Sequence, residues 1–143
     1  MTPKEIYERQ LRLAVGGDRP AQMEFYAPDA VMEAPFAPPG APSRLEGRDQ
    51  ILAMSVALDE ARPEGMQLVE EESTLVVHET SDPEVVIGEV DAKVAVPGTD
   101  QRLDVRQVHV VRVRNGKIVH FKDYYAGHSA AFVQEAMGTA PSA

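Results

Sequence analysis

The chain contains no cysteine among its 143 residues. That excludes disulfides, thiolate metal ligands and a cysteine nucleophile. No apolar run approaches the roughly 18 residues of a membrane-spanning helix. The opening stretch, MTPKEIYERQ, is charged and lacks the apolar centre of a signal peptide. A cytoplasmic protein with no membrane partner is expected. Positive charge is scarce too: 14 Lys and Arg face 23 Asp and Glu, a formal net charge of −9. A phosphate-backbone partner needs cations, so no nucleic acid is expected. The acidic excess reads as a soluble surface. No internal repeat, glycine-rich phosphate loop or G-x-S-x-G elbow appears. His78 and His120 lack metal-ligand spacing, so neither metal nor cofactor is anticipated.

What is present suffices for one core, since 43% of residues are hydrophobic. A single domain over 1–137 is expected, with a loose tail at 138–143. Thr2-Pro3-Lys4-Glu5 is a helix start with a capping box, and Gly16-Gly17 is its stop. Between them Ile6, Leu11, Leu13 and Ala14 form the apolar stripe. Asp18 caps a second helix running to about Tyr26. Ala27-Pro28-Asp29 is a turn and Ala30 to Ala34 a short strand. Pro35 to Arg44 is proline-rich and irregular. It reads first as a rigid loop, and second as a lip over a cavity with Phe36 as its apolar element. A third helix covers Gln50 to Ala61. Strands follow over Met66 to His78 and Val85 to Val96, then a long hairpin, then a short helix from Ser129 to Met137.

The hairpin, LDVRQVHVVRVRNGKIVHFKDYY from Leu103 to Tyr125, is the informative stretch. Side chains two apart share a sheet face. His109 lies in a row with Val111 and Val113, and Asp123 in a row with Val119, Phe121 and Tyr125. A two-residue Asn115-Gly116 loop would pair Arg114 with Lys117 and send His109 and Asp123 to opposite faces. A three-residue loop would pair Val113 with Lys117, set His109 opposite Phe121, and set Asp123 opposite Gln107, diagonal to His109. The second register is preferred, because it gathers Val111, Val113, Val119 and Phe121 on one face. The whole order, helices with one small strand and then four antiparallel strands, gives an α+β fold.

Three strings, GGDRPAQMEFYAPDAVMEAP, PPGAPSRLEGRDQI and VRNGKIVHFKDYY, resemble the nuclear transport factor 2-like superfamily, in particular its SnoaL-like branch. The resemblance spans nearly the whole chain. It implies a cone-shaped α+β barrel, a curved antiparallel sheet wrapped around the N-terminal helices, with an apolar pocket inside. It does not choose a reaction, because cyclases, isomerases, dehydratases, epoxide hydrolases and binding domains share this fold. The ketosteroid isomerase positions fall on Gln10, Ala34 and His109, which depart from that pattern. Of the epoxide hydrolase set, Asp123 matches within Phe121-Lys122-Asp123-Tyr124 and Asp91 lies near a second acidic position. Glu89, Met32 and Ala34 replace the rest. The SnoaL-type cyclases, with a histidine and an acid/base aspartate on the last two strands, match His109 and Asp123.

These two residues are the catalytic candidates. A carboxylate withdrawn from water is a better base or a usable acid. Asp123 would move a proton beside a carbonyl, and His109 would hydrogen-bond the developing oxyanion or the exchanged proton. Gln107, Phe121, Tyr125, Met32, Met54 and Phe36 are the candidate substrate contacts, for an apolar cyclic or polyketide-like small molecule. The expected activity is a cofactor-free cyclase, isomerase or dehydratase. The alternatives are a non-catalytic small-molecule binding module, an epoxide hydrolase-like enzyme and a protein-interaction domain. Each residue also has a plainer use: Asp123 as a structural carboxylate, His109 as a satisfied core histidine, Tyr125 and Met54 as packing. Glu89, Asp91 and Lys93 read as a solvated face, as does the Glu70-Glu71-Glu72 run. Val108 and Val110 give the outer sheet face apolar content, and a homodimer is expected there.

Overall fold

The computed structural model describes residues 1–127; the helix expected over Ser129 to Met137 and the tail at 138–143 lie outside them. Helix α1, Pro3–Val15, starts as its sequence dictates. Thr2 Oγ1 accepts the Glu5 backbone N–H at 3.2 Å, and Pro3 occupies the first turn. Burial selects a different face from the apolar count. Ile6, Tyr7 and Gln10 are buried, whereas Leu11, Leu13 and Ala14 are half-buried. Helix α2, Arg19–Met23, is capped by Asp18 and ends short of Tyr26. The remaining elements are β1 (Tyr26–Glu33), β2 (Arg44–Glu46), α3 (Arg48–Ala61), β3 (Gln67–Leu68), a 3₁₀ turn (Glu70–Glu72), β4 (Thr74–Glu79), β5 (Val85–Ala95), β6 (Arg102–Arg114) and β7 (Lys117–Gly127).

Two expected boundaries are corrected. The turn at Ala27-Pro28-Asp29 is part of β1, and the irregularity its proline requires appears as a register shift between Tyr26 and Val31 in the β1–β7 ladder. The single strand expected over Met66 to His78 is broken by the 3₁₀ turn. There Ser73 Oγ donates to Val69 O at 2.7 Å and accepts the Lys93 N–H at 3.0 Å, a local alternative to the ladder.

The sheet runs β2-β1-β7-β6-β5-β3, with β4 also paired to β5. It is curved and unclosed, and the helices give it the cone-like α+β form. The expectation of a wholly antiparallel sheet is corrected, because β1 pairs with β7 in parallel. A parallel pair needs a crossover connection, and α3 and the intervening strands supply it.

The hairpin corrects the preferred register. Arg114 pairs with Lys117, so the loop is the two-residue Asn115-Gly116. Both residues have positive φ, 52° and 75°, as a type I′ turn requires. The register then shifts between Arg112 and Val113: Val113 pairs with Ile118 but Arg112 with His120. Val119 is the extra residue of a β-bulge. Beyond it Val111 pairs with Phe121, and His109 pairs directly with Asp123 rather than with Phe121. The bulge restores the face that the short loop would have lost. Val111, Val113, Ile118 and Phe121 are all buried, and Val119 packs against them half-buried.

Helix α1 packs on β5 and β6, and α3 packs on β1. The enclosed core comprises Ile6, Tyr7, Met23, Tyr26, Ile51 and Val86 with the four hairpin residues. Its polar members bond to one another. Gln10 Oε1 accepts from Tyr26 Oη at 3.0 Å and from Gln22 Nε2 at 2.9 Å, while Gln10 Nε2 donates to Tyr7 O at 3.2 Å. Gln10 is thus spent on the frame. Arg19 extends this network outward, donating to Gln22 Oε1 at 3.0 Å and to both oxygens of Asp59 at 2.8 Å.

The two Arg19 hydrogen bonds hold the Asp59 carboxyl below the usual carboxylate range. A depressed native pKa stabilises the fold above the unfolded value and loses that contribution as pH falls through the native one. Asp59→Asn should therefore cost about 1–2 kcal/mol at neutral pH. The gap to wild type should close as pH drops below about 4. Thermal melts of both proteins across that range measure it; a gap independent of pH would deny the ion pair this role.

Candidate functional site

The inner face of β6 and β7 carries the two predicted catalytic residues on one rung. His109 pairs with Gly88 on one side and Asp123 on the other. His109 Nε2 lies 3.4 Å from Asp123 Oδ1. The His109 side chain is 4% exposed and that of Asp123 22%. The imidazole is sealed in the core, and the carboxylate stands in front of it, within reach of solvent. Gln107 Nε2 donates to Asp123 Oδ2 at 3.2 Å and lies 3.4 Å from Oδ1. Gln107 therefore aims the carboxylate, with the His109 ring nitrogen beside it.

Behind His109 stands Tyr7, which the sequence reading passed over. Its Oη lies 2.7 Å from His109 Nδ1, and the residue is fully buried. Burial, then the charge of Asp123, pushes the Tyr7 phenol up, so it keeps its proton. The direction of this bond follows from counting. If Tyr7 donates, Nδ1 accepts and the imidazole proton sits on Nε2, facing the carboxylate. If Nδ1 donated, the phenolic proton would have no acceptor among the described residues, and the bare Nε2 would confront a carboxylate oxygen. The first arrangement gives the phenolic proton an acceptor and turns an N–H, not a lone pair, toward the carboxylate. Tyr7 thus fixes the tautomer that presents an N–H to Asp123.

The room for Tyr7 comes from Gly88. A Cβ on Gly88 would lie 2.1 Å from Tyr7 Oη and 2.4 Å from its ring. A lone glycine within a strand run signals close approach of another group. That glycine, and the helical spacing of Ile6, Tyr7 and Gln10, were the signals available for finding Tyr7.

The other predicted residues divide. Tyr125 lies two residues beyond Asp123, opposite Gln107. It is 6% exposed, and burial and then Asp123 raise its phenol pKa. Phe121 is buried behind His109, with ring centroids 4.7 Å apart, and also stacks on Tyr26. Met32 pairs with Phe121 across the β1–β7 ladder and is half-buried against the core. Met54 is half-buried on α3, and no described contact joins it to Asp123. Phe36 stands elsewhere. It is 69% exposed and meets Tyr124 edge-on at 5.2 Å.

Tyr124 pairs with Val108, on the outer face of the sheet. That face bears a concavity of about 540 Å³, walled by Phe36, Val76, Val108, Tyr124, Glu89 and Arg106 among others. Val90, Gln107 and Tyr125 form one rung between those walls, and their side chains point to the inner face. The sheet therefore separates this groove from the His109–Asp123 rung. Among the described residues, no group of three or more His, Asp or Glu is arranged to hold a metal.

Residues 7–121 match the model of the SnoaL-like domain. The chain belongs to the SnoaL-like family. It is 31% identical over 125 residues to an uncharacterized PhzA/B-like protein of Pseudomonas aeruginosa, covering 87% of this chain and 84% of that one. Among solved structures it is similar to a Bacillus subtilis protein provisionally assigned as an isomerase, with a TM-score of 0.70, 28% identity and 98% of each chain covered. A Pseudomonas putida protein provisionally assigned as a polyketide cyclase has a TM-score of 0.68 at 18% identity, over 90% of this chain and 94% of that one, and so shares the fold. The SnoaL-like match accords with a small-molecule site inside the cone.

Gly88→Ala should displace Tyr7 and lower stability by about 1–3 kcal/mol, the usual cost of overpacking. Nitrogen NMR of the His109 ring should show the Nε2–H form in wild type and a mixture of tautomers in Gly88→Ala. A wild-type Nδ1–H signal would reverse the hydrogen-bond assignment.

Proposed function

We propose that the protein catalyses a general acid/base rearrangement of an uncharged, largely apolar small molecule, as a cyclase, isomerase or dehydratase. The observation that carries this reading is the single rung on which the reachable Asp123 carboxylate faces the sealed His109 imidazole at 3.4 Å. Catalytic contacts are often long or poorly aligned without substrate and tighten in the reacting complex. Membership of the SnoaL-like family, and relatives provisionally assigned as isomerase and polyketide cyclase, support the same reading.

The chemistry follows from the groups present. Asp123 removes a proton from carbon beside a carbonyl, and the C–H electron pair moves onto the carbonyl oxygen as an enolate. The enolate carbon then attacks a second carbonyl, whose new alkoxide takes the proton from Asp123; or the enolate collapses to expel a β-hydroxyl, which leaves as water with that proton; or the proton returns at another carbon. These outcomes are cyclisation, dehydration and isomerisation. His109, held as the Nε2–H form by Tyr7, keeps the carboxylate aimed through each transfer.

Asp123→Asn preserves shape and removes the base. Turnover should fall by about 10²–10⁴-fold, while the melting temperature stays near wild type. A panel of cyclic ketones, anthraquinones, phenazine precursors and terpenoid epoxides, followed by mass spectrometry, supplies the test. Equal conversion by both proteins would reject Asp123. Tight binding with the ligand recovered unchanged from wild type would make the protein a binding module instead.

The outer face supports a proposal about assembly. Val76, Val108 and Phe36 are 48%, 39% and 69% exposed around the same groove, an apolar patch suited to association. Two copies of the chain would meet across it. Val108→Glu should then convert a dimer to a monomer in sedimentation equilibrium; a wild-type monomer would end the idea.

A further inference from the structure

We propose that Tyr125 is the hydrogen-bond donor that holds the carbonyl oxygen of an uncharged ketone-type ligand while Asp123 works on the neighbouring C–H. The inference rests on the general-base reading of Asp123 and extends it to substrate class and to a second catalytic residue. Among the described residues, Tyr125 Oη is the buried side-chain polar atom that has no hydrogen-bond partner. A buried hydroxyl without a partner is costly, and native proteins keep few of them. The other buried tyrosines show the contrast. Tyr7 Oη meets His109 at 2.7 Å, and Tyr26 Oη donates to Gln10 at 3.0 Å.

Position then selects the ligand. Tyr125 shares the inner face of β7 with Asp123, one pleat away, and Gln107 lies opposite. Gln107 already gives its Nε2 to Asp123, so Tyr125 supplies the remaining donor of this group. Burial and the nearby carboxylate keep its phenol protonated at neutral pH. It therefore offers a proton to an acceptor. The acceptor should be uncharged. Within 4 Å, the ion-pair partner of Asp123 among the described residues is His109, with no arginine or lysine. A carboxylate or phosphate ligand would meet the charge of Asp123 with no cation to offset it. A ketone oxygen meets no such penalty. When Asp123 takes the α-proton, the C–H pair flows to that oxygen, and the Tyr125 O–H bond strengthens as the enolate charge grows. Return of the proton from Asp123 to carbon closes the cycle with no co-reactant.

The test uses the whole chain and two probes of one shape: 2-tetralone, an uncharged ketone with acidic α-protons, and tetralin, its hydrocarbon. Wild type should bind the ketone about tenfold more tightly than the hydrocarbon, the worth of one good hydrogen bond. Tyr125→Phe should erase that preference and leave tetralin binding unchanged. The infrared carbonyl stretch of bound 2-tetralone should be lowered in wild type and return in the variant. Exchange of its α-protons in D₂O, above the buffer rate, should vanish in Asp123→Asn and slow by about 10²-fold in Tyr125→Phe. Without any ligand, Tyr125→Phe should melt at or above the wild-type temperature, because no protein hydrogen bond is lost. A lowered melting temperature, an unchanged ketone preference in the variant, or no preference in wild type would each overturn the proposal. If the preference depends on Tyr125 but exchange survives Asp123→Asn, Tyr125 stands as a binding donor and the general-base reading falls. If exchange needs Asp123 and ignores Tyr125, the reverse holds.

Discussion

The site depends on one extra residue in β7. A two-residue hairpin loop running straight on from the Arg114–Lys117 pair would set His109 opposite Lys122 and turn Asp123 to the outer face. The bulge at Val119 shifts the ladder by one, so that His109 meets Asp123. The same shift puts Ile118 and Phe121 into the core together. Core burial and site assembly thus impose the same demand on this register. A sequence change that removed the bulge would expose an apolar row as it dismantled the rung, so the geometry of the site is fixed by the energetics of the core.

The second constraint is the contact between Tyr7 and Gly88. Helix α1 can lie close enough to β5 for its tyrosine to reach His109 because Gly88 has no side chain. The tautomer of a residue on β6 is thereby set from a helix about a hundred positions earlier. Gln10, one turn along α1, joins that helix to Gln22 and Tyr26, and Arg19 carries the connection to Asp59 on α3. Gln10, Gln22, Tyr26 and Arg19 form one hydrogen-bonded frame, and the imidazole is held near its edge through Tyr7.

Much of this was legible in the sequence, where local chemistry decides structure. Thr2-Pro3 and Gly16 delimit α1 as capping rules require. Alternation along the hairpin marked His109 and Asp123 as ionisable residues in apolar rows, and the quoted strings gave the family. The register was not legible, since Asn-Gly fixes the turn while a bulge three residues later depends on tertiary packing. The parallel β1–β7 pairing was hidden for the same reason. Tyr7 was missed because an apolar count ranks Leu11 and Leu13 above it, although its phenol buries with a partner. Composition reads the Phe36 loop first as a rigid loop and second as a cavity lip; it sets Phe36 against Tyr124, beside the outer groove and on the face away from His109.

The core and the chemistry meet at a definite boundary. From Val111 and Phe121 toward the turn, the inner face is sealed; it opens at Gln107 and Asp123, which are half-buried, and Tyr125 beyond them is buried again. His109 sits on the sealed side, and Asp123 on the open one. Groups that must hold one geometry gain from close packing; a group that exchanges protons with a ligand must be reached by it. The outer groove is a concavity of about 540 Å³. Yet it lacks this juxtaposition, because Glu89 there is paired with His78 at 2.6 Å and Asp91 with Lys93 at 3.1 Å, in half-exposed ion pairs. Buried, directional polar chemistry distinguishes the inner rung, where the proposed proton transfer is placed, and the proposed assembly uses the opposite face.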